Sequence, residues 1–481
     1  MTAGAASLPV IIQGGMGVAV SGWRLAGAVS RAGELGVVSG TALETVYARR
    51  LQLGDPGGDI RRALVHFPVR SMARRVLAGY YVHGGIPPGQ PFRRTPMFTL
   101  EPEVGLQELT VVANFCEVFL AKEGHLGPIG INYLRKIELP LPFACLGAML
   151  AGVDAVLVGA GNPADVPGLL RALAGAEEIR WEVRVQGLRS ADPPAAVRIR
   201  PERLGAEVGA PRLPLVLAIV GSADLAAGLA GDAAARPDGF VVEGPTAGGH
   251  NVPPRGPRRV DALGQPVYDE RDEVDITAVT ALGLPVWLAG SYGTPGGLRA
   301  AQAAGARGIQ VGTAFAYSAE SGLADGLKRQ ILANVAAGTN RVLTDWRASP
   351  TGFPFKVVHC AGTLSEPEVV AGRRPLCDLG VLRTPYRTAD GTIDYRCPAE
   401  PTRVYLGRKA GRAANIDGRR CICNALLATA DLPQRRPHGQ LEPPIVTSGD
   451  DFAAVATLLG RRPAGADFYP ARAVVDYLRH G

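Results

Sequence analysis

The sequence predicts a parallel α/β barrel, on three observations. Short apolar runs recur along the chain with glycine at their ends, helix-like segments separate them, and the runs number eight. Runs that are apolar on both alternating faces suit strands covered on each side, as in a parallel sheet. Eight such strands in series point to a TIM (β/α)8 barrel. An open, doubly wound sheet is the alternative topology.

The runs, in order, are VIIQGG (10–15), GELGVVSG (33–40), GPIGINYL (127–134), GVDAVLVG (152–159), LPLVLAIVG (213–221), PDGFVVEG (237–244), GLPVWLAG (283–290) and GARGIQVG (305–312). Between the first two, residues 23–32 carry Leu25, Ala28 and Val29 at helical spacing, and Gly33 follows as a left-handed C-cap would. Residues 297–304 before Gly305 repeat the pattern. Two stretches depart from it. Residues 41–126, far longer than a normal connection, hold the Pro-rich IPPGQPFRRTP (86–96) and a helix-like stretch over 108–122, and read as a lid inserted after strand 2. From residue 346 the composition shifts to scattered Pro, Arg and Cys. The expected organisation is a barrel domain over 1–345 and a C-terminal extension, 346–481, packed on it.

Composition narrows the class. A chain of 481 residues with 47% hydrophobic and 20% charged residues has ample apolar surface to bury, which excludes a disordered chain or a small stapled fold. The 51 basic against 44 acidic residues are a small excess at this length, and no basic block is interleaved with aromatics, so no nucleic-acid partner is expected. The first charge comes only at Arg24, unlike a secretory leader. The apolar stretch over 139–153 is interrupted by prolines and is too short to span a bilayer, so no membrane partner is expected. The expected location is cytoplasmic, with seven reduced cysteines and a possible homodimer.

In a barrel the chemistry belongs at the C-terminal ends of the strands. There the sequence places GGMG (14–17), Asn132, EGPTAGGH (243–250), AGSYG (289–293) and VGTAF (311–315). Gly290, Ser291, Gly293, Gly312 and Thr313 follow strands 7 and 8, where barrels bind phosphate through backbone N–H groups, so a phosphate-bearing ligand is the natural occupant. The alternative is that these glycines merely turn the chain. Gly248 and Gly249, directly before His250, let backbone lie flat against a planar ligand with the imidazole projecting over it. His66, His83, His359, His438 and His480 have no such context.

The opening IIQGGMGVAVSGWRLAGAVSRAGELGVVSG, the EGPTAGGHN segment and the closing LAGSYGTPGGLRAAQAAGARGIQVGTAF together resemble the nitronate monooxygenase (2-nitropropane dioxygenase) family, whose fold is shared by the FMN enoyl-acyl-carrier-protein reductases of the FabK type. The resemblance implies a barrel that holds FMN non-covalently. By it, Gly15, Met16 and Gly17 would line the isoalloxazine, Asn132 would bond its polar edge, Gly290, Ser291, Gly312 and Thr313 would hold the phosphate, and His250 would be the active-site histidine. Glu243 is either a cofactor contact or a barrel-mouth carboxylate satisfied by neighbouring donors. The implied activity is oxidation of alkyl nitronates with O₂. An NAD(P)H-dependent reductase of an enoyl thioester is the alternative, and a flavin- or metal-dependent redox sensor a third reading.

The chain departs from that family in two places. Arg255, Arg258 and Arg259 lie in a long loop just past His250, either as a solvated charged lid or as partners for an acidic substrate tail. Cys377, Cys397, Cys421 and Cys423 fall in the extension without a CxxC pair, so buried free thiols are preferred over a Zn or Fe–S site.

Overall fold

The computed structural model describes residues 8–175, 178–200, 204 and 211–481. One strand forms within each of the eight runs: β1 (Ile11–Gln13), β2 (Gly36–Ser39), β3 (Ile129–Leu134), β4 (Ala155–Gly159), β5 (Leu215–Val220), β6 (Gly239–Glu243), β7 (Val286–Ala289) and β8 (Gly308–Val311). Each pairs in parallel with its neighbours in sequence, and β1 pairs with β8. The ring closes at β1 and β2, where Ile12 bridges Leu35 and the Gln13 N–H donates to the Leu35 carbonyl at 2.9 Å. The chain is thus a TIM barrel, and the open-sheet alternative fails at that closure.

Strand periodicity sorts the side chains. Ile12, Val37, Leu157, Leu217, Val241 and Trp287 fill the lumen, whereas Ile11, Val38 and Val156 pack outward beneath the helices. Filling both faces with β-branched and aromatic side chains explains why the runs showed no polar alternation.

The stretch over 41–126 is not a single lid. Helix Val104–Lys122 lies in the barrel wall, packed between Trp23–Arg31 and Leu141–Leu150, and helices Leu43–Gln52, Asp59–His66 and Arg70–Tyr80 pack on its outer side. It is long and apolar enough to cross a membrane, but most of it is buried inside the protein. A helix apolar on all sides is a buried helix. Glu117 ties the layers together, accepting from the Trp23 N–H and the Tyr47 hydroxyl, each at 2.7 Å. Only Thr41 and Ala42 of the stretch reach the barrel mouth cavity.

The mouth is covered instead by chain that follows the last barrel strand, from 342 onward. The hairpin Val342–Asp345/Phe355–Val358 and the segments around 381, 422 and 447 reach over it. The chain then returns to the outside of the barrel, where helix Ala471–His480 packs against Trp23–Arg31 and Pro295–Ala303. Its Arg479 pairs with the fully buried Glu34 carboxylate, which also accepts the N–H groups of Val10 and Ile11.

Candidate active site

A cavity of about 420 Å³ opens at the C-terminal ends of the strands. Gly15, Met16, Gly17, Asn132, Glu243, Gly248, Gly249, His250, Gly290, Ser291, Gly293, Gly312 and Thr313 all line it. Residues from five strand ends, spread over about three hundred positions, therefore meet in one chamber because barrel closure places every strand end on the same rim.

The GGMG turn after β1 is held from beneath. The Ser21 hydroxyl accepts the Met16 N–H at 2.9 Å and donates to the Gly14 carbonyl at 2.9 Å, and Gln13 braces it with a bond to Ser21 at 2.9 Å. A Cβ on Gly15 would stand 2.3 Å from the Asn132 Cβ, so only glycine lets the turn and the β3 amide lie side by side. Asn132 Nδ2 reaches the Gly15 carbonyl at 3.5 Å, while its Oδ1 is buried without a partner.

His250 ends the β6 loop. Its Nε2 is 2.7 Å from the Ser349 hydroxyl, which is 2.8 Å from the Thr351 hydroxyl. Its ring meets Phe355 edge-on, with centroids 4.9 Å apart. Burial, and then the positive charge of Lys136, hold the imidazole well below its usual pKa, so it is neutral at pH 7. The glycine before it serves a purpose the sequence did not reveal. A Cβ on Gly248 would stand 2.7 Å from the Gly449 nitrogen, so the loop is glycine there because another segment of the chain lies against it.

Lys136, just past β3, drew no attention in the sequence. Its Nζ is buried without a hydrogen-bond partner and lies 5.2 Å from the centre of the Phe353 ring. Burial pushes its pKa down to about 7, opposed by the Glu243 carboxylate. Burial pushes Glu243 up to about 7, opposed in turn by Lys136. The mouth thus holds the Glu243 carboxyl and a neutral imidazole, and the Lys136 amine, which borders the adjoining chamber, is close enough to act on both. Perturbed groups facing a cavity mark a site of chemistry.

The rim after β7 and β8 is built of small residues. Gly290 has φ +91° and Ser291 φ +58°, a left-handed pair in the cavity wall. The Thr313 hydroxyl accepts the Gly449 N–H at 2.9 Å, so the 447–449 segment closes this corner of the cavity. Gln310 Oε1 and Asn251 Oδ1 also line the chamber and are buried without partners. Three orphaned amide oxygens in one chamber require a ligand or ordered water. A flavin fits on three counts: a ring edge that can bond these amides, glycines that admit a planar group, and a small-residue corner for a phosphate.

The arginines past His250 are engaged by other groups of the protein. The Arg255 backbone N–H donates to Asp272 at 2.6 Å, Arg259 pairs with Asp269, and the Arg258 guanidinium stacks 4.6 Å from the centre of the Trp346 ring. Lys136, Asn251, Gln310, Ser349 and Gly449 were missed because each owes its place to the tertiary fold. Lys136 alone left a trace, as one of the few lysines in an arginine-rich chain.

Residues 212–345 match the family model described as nitronate monooxygenase. No curated protein matches the chain. Among solved structures it is similar to FabK from Thermotoga maritima, at 16% identity and TM-score 0.46 over 98% of this chain and 91% of that one. It is also similar to nitroalkane oxidase from Streptomyces ansochromogenes, at 17% identity and TM-score 0.40 over 73% and 76% of the two chains. The enoyl reductase domain of MlnA from Bacillus amyloliquefaciens aligns at 11% identity and TM-score 0.38, over 74% of this chain and 64% of that one.

Proposed function

We propose that this chain, a member of the nitronate monooxygenase family by the match over residues 212–345, is an FMN-dependent oxidoreductase that oxidises alkyl nitronates with O₂. The observation that carries this reading is a neutral His250 in a chamber of unpartnered amides, with the buried Lys136 bordering the adjoining chamber and acting on the imidazole by its charge. A nitronate is an anion formed by loss of one proton from a nitroalkane. A neutral imidazole accepts that proton, and a nearby ammonium stabilises the resulting charge.

FMN, when bound, supplies the redox chemistry between nitronate and O₂. Asn132, Gln310 and Asn251 would meet its polar groups, and Gly290, Ser291, Gly293, Gly312 and Thr313 would hold its phosphate. The remaining work falls to the protein. Ser349 engages His250 Nε2 and so makes Nδ1 the working atom. When Ser349 donates, Nδ1 carries a hydrogen and can bond a nitronate oxygen; when it accepts, Nδ1 is free to take the α-proton. Phe353 and Phe355 line the chamber and exclude water around this exchange.

A second reading, NAD(P)H-dependent reduction of an enoyl thioester, draws on one observation. A side chamber of about 170 Å³, bordered by Lys136 and Leu139, shares Thr41, Ala42 and Ile137 with the main cavity and offers room for an acyl tail. Oxygen uptake with propyl-2-nitronate in the absence of nicotinamide is the result expected. NAD(P)H consumption dependent on crotonyl thioester, with no nitronate-dependent oxygen uptake, would replace the first reading with the second.

A further inference from the structure

Cys377, Cys397, Cys421 and Cys423 come from three separate segments and pack into one cluster beside the active-site cavity. Cys377 precedes strand Thr384–Arg387, Cys397 follows strand Ile393–Arg396, and Cys421 and Cys423 open helix Ile422–Thr429. All four are free thiols. Asn424 Nδ2 lies 3.5 Å from Cys421 Sγ.

Four cysteines brought by three separate segments into one contact cluster form the kind of ligand set that a polynuclear thiolate-bound centre uses. We infer that the four cysteines hold an iron–sulfur cluster.

A single zinc, about 2.3 Å from each sulfur, gathers its ligands round one point. Among the described residues, no three His, Cys, Asp or Glu side chains are gathered to hold one metal ion. In a cluster with four irons each thiolate binds a different iron, which keeps the four sulfurs further apart while still enclosing one centre. The hairpin Thr384–Arg387/Ile393–Arg396 and helix Ile422–Thr429 converge on that centre, and Cys423 together with Leu382 lines the active-site cavity. The cluster therefore ties down one wall of the chamber. This inference is independent of the substrate assigned above.

The test is iron and acid-labile sulfide analysis of the full chain purified without oxygen from iron-supplemented cells. The expected result is about four of each per chain, with a broad visible absorption that remains after flavin removal and bleaches on reduction. Cys397→Ser and Cys421→Ser are expected to lose most of the iron, and Cys145→Ser, at a buried thiol elsewhere, to keep it. Should the serine variants fail to fold, the wild-type iron and sulfide content decides alone. Stoichiometric zinc, or metal-free protein that takes up no iron and sulfide on reconstitution, would overturn the assignment.

Discussion

His250 Nε2 and the Ser349 hydroxyl stand 2.7 Å apart, joining the end of β6 to a residue that follows the last barrel strand by almost forty positions. Ser349 acts through the imidazole and does not line the cavity, so it is a positioning residue. Ser349→Ala is expected to lower kcat about tenfold with little change in KM or FMN content, and to alter the pH profile of kcat. Equal losses in kcat and FMN content would show a purely structural role.

Replacing the imidazole itself should cost far more. His250→Asn is expected to keep flavin and fold while turnover of a nitroalkane falls by about 10²–10⁴-fold. Activity on the preformed nitronate should fall less, because that substrate has already lost its proton. Steady-state oxygen uptake on the two substrates separates these effects.

The titration of the buried pair gives stability a defined pH dependence. Glu243 rises from 4.5 to about 7 on folding, so its contribution favours the fold below pH 4.5 and is lost as pH climbs to 7. Lys136 falls from 10.5 to about 7, so its penalty is full below pH 7 and is relieved as pH rises toward 10.5. Melting temperature against pH should therefore lose its Glu243-dependent decline between pH 4.5 and 7 in Glu243→Gln. Lys136→Met should remove the rise above pH 7 and raise KM for the anionic nitronate.

The close approach of the first turn to β3 can be tested by adding one methyl group. Gly15→Ala places a carbon 2.3 Å from Asn132 Cβ, so turn and amide must separate. FMN affinity is expected to fall by about tenfold or more, read by fluorescence titration of the apoprotein. An unchanged affinity would remove Asn132 and the GGMG turn from the cofactor site.

Glu34 has no access to solvent and serves two backbone N–H groups as well as Arg479. Glu34→Ala leaves those donors buried and unpaired, at an expected cost of about 2–4 kcal/mol in denaturant unfolding. Arg479→Ala, at a partly exposed partner, should cost under about 1 kcal/mol.

The barrel was legible because each strand announces itself within a few residues. An apolar run closed by glycine is a local signal, and closure then brings GGMG, EGPTAGGH and the last two strand ends to one rim without further information. Lys136 and Ser349 carry no local signal, since a lysine acquires a depressed pKa only from what surrounds it in space. Gly248 was legible as a glycine but not for its reason, which lies two hundred residues away at Gly449. Helix Val104–Lys122 was legible as a helix over 108–122, but its place in the barrel wall was hidden for a related cause. Its faces are covered by different neighbours, so the one-sided periodicity that separates a wall helix from an inserted segment is absent.

The last helix also bears on how the molecule is made. Strand β1 has its neighbouring carboxylate paired, among the described residues, with Arg479, 445 positions later in the chain. A nascent chain must therefore carry this strand without that partner through synthesis of the whole barrel, exposed meanwhile to mispairing. Moving Ala471–His480 ahead of β1 by circular permutation would supply the partner first, and faster appearance of protease-resistant protein during translation would be the measure of that delay.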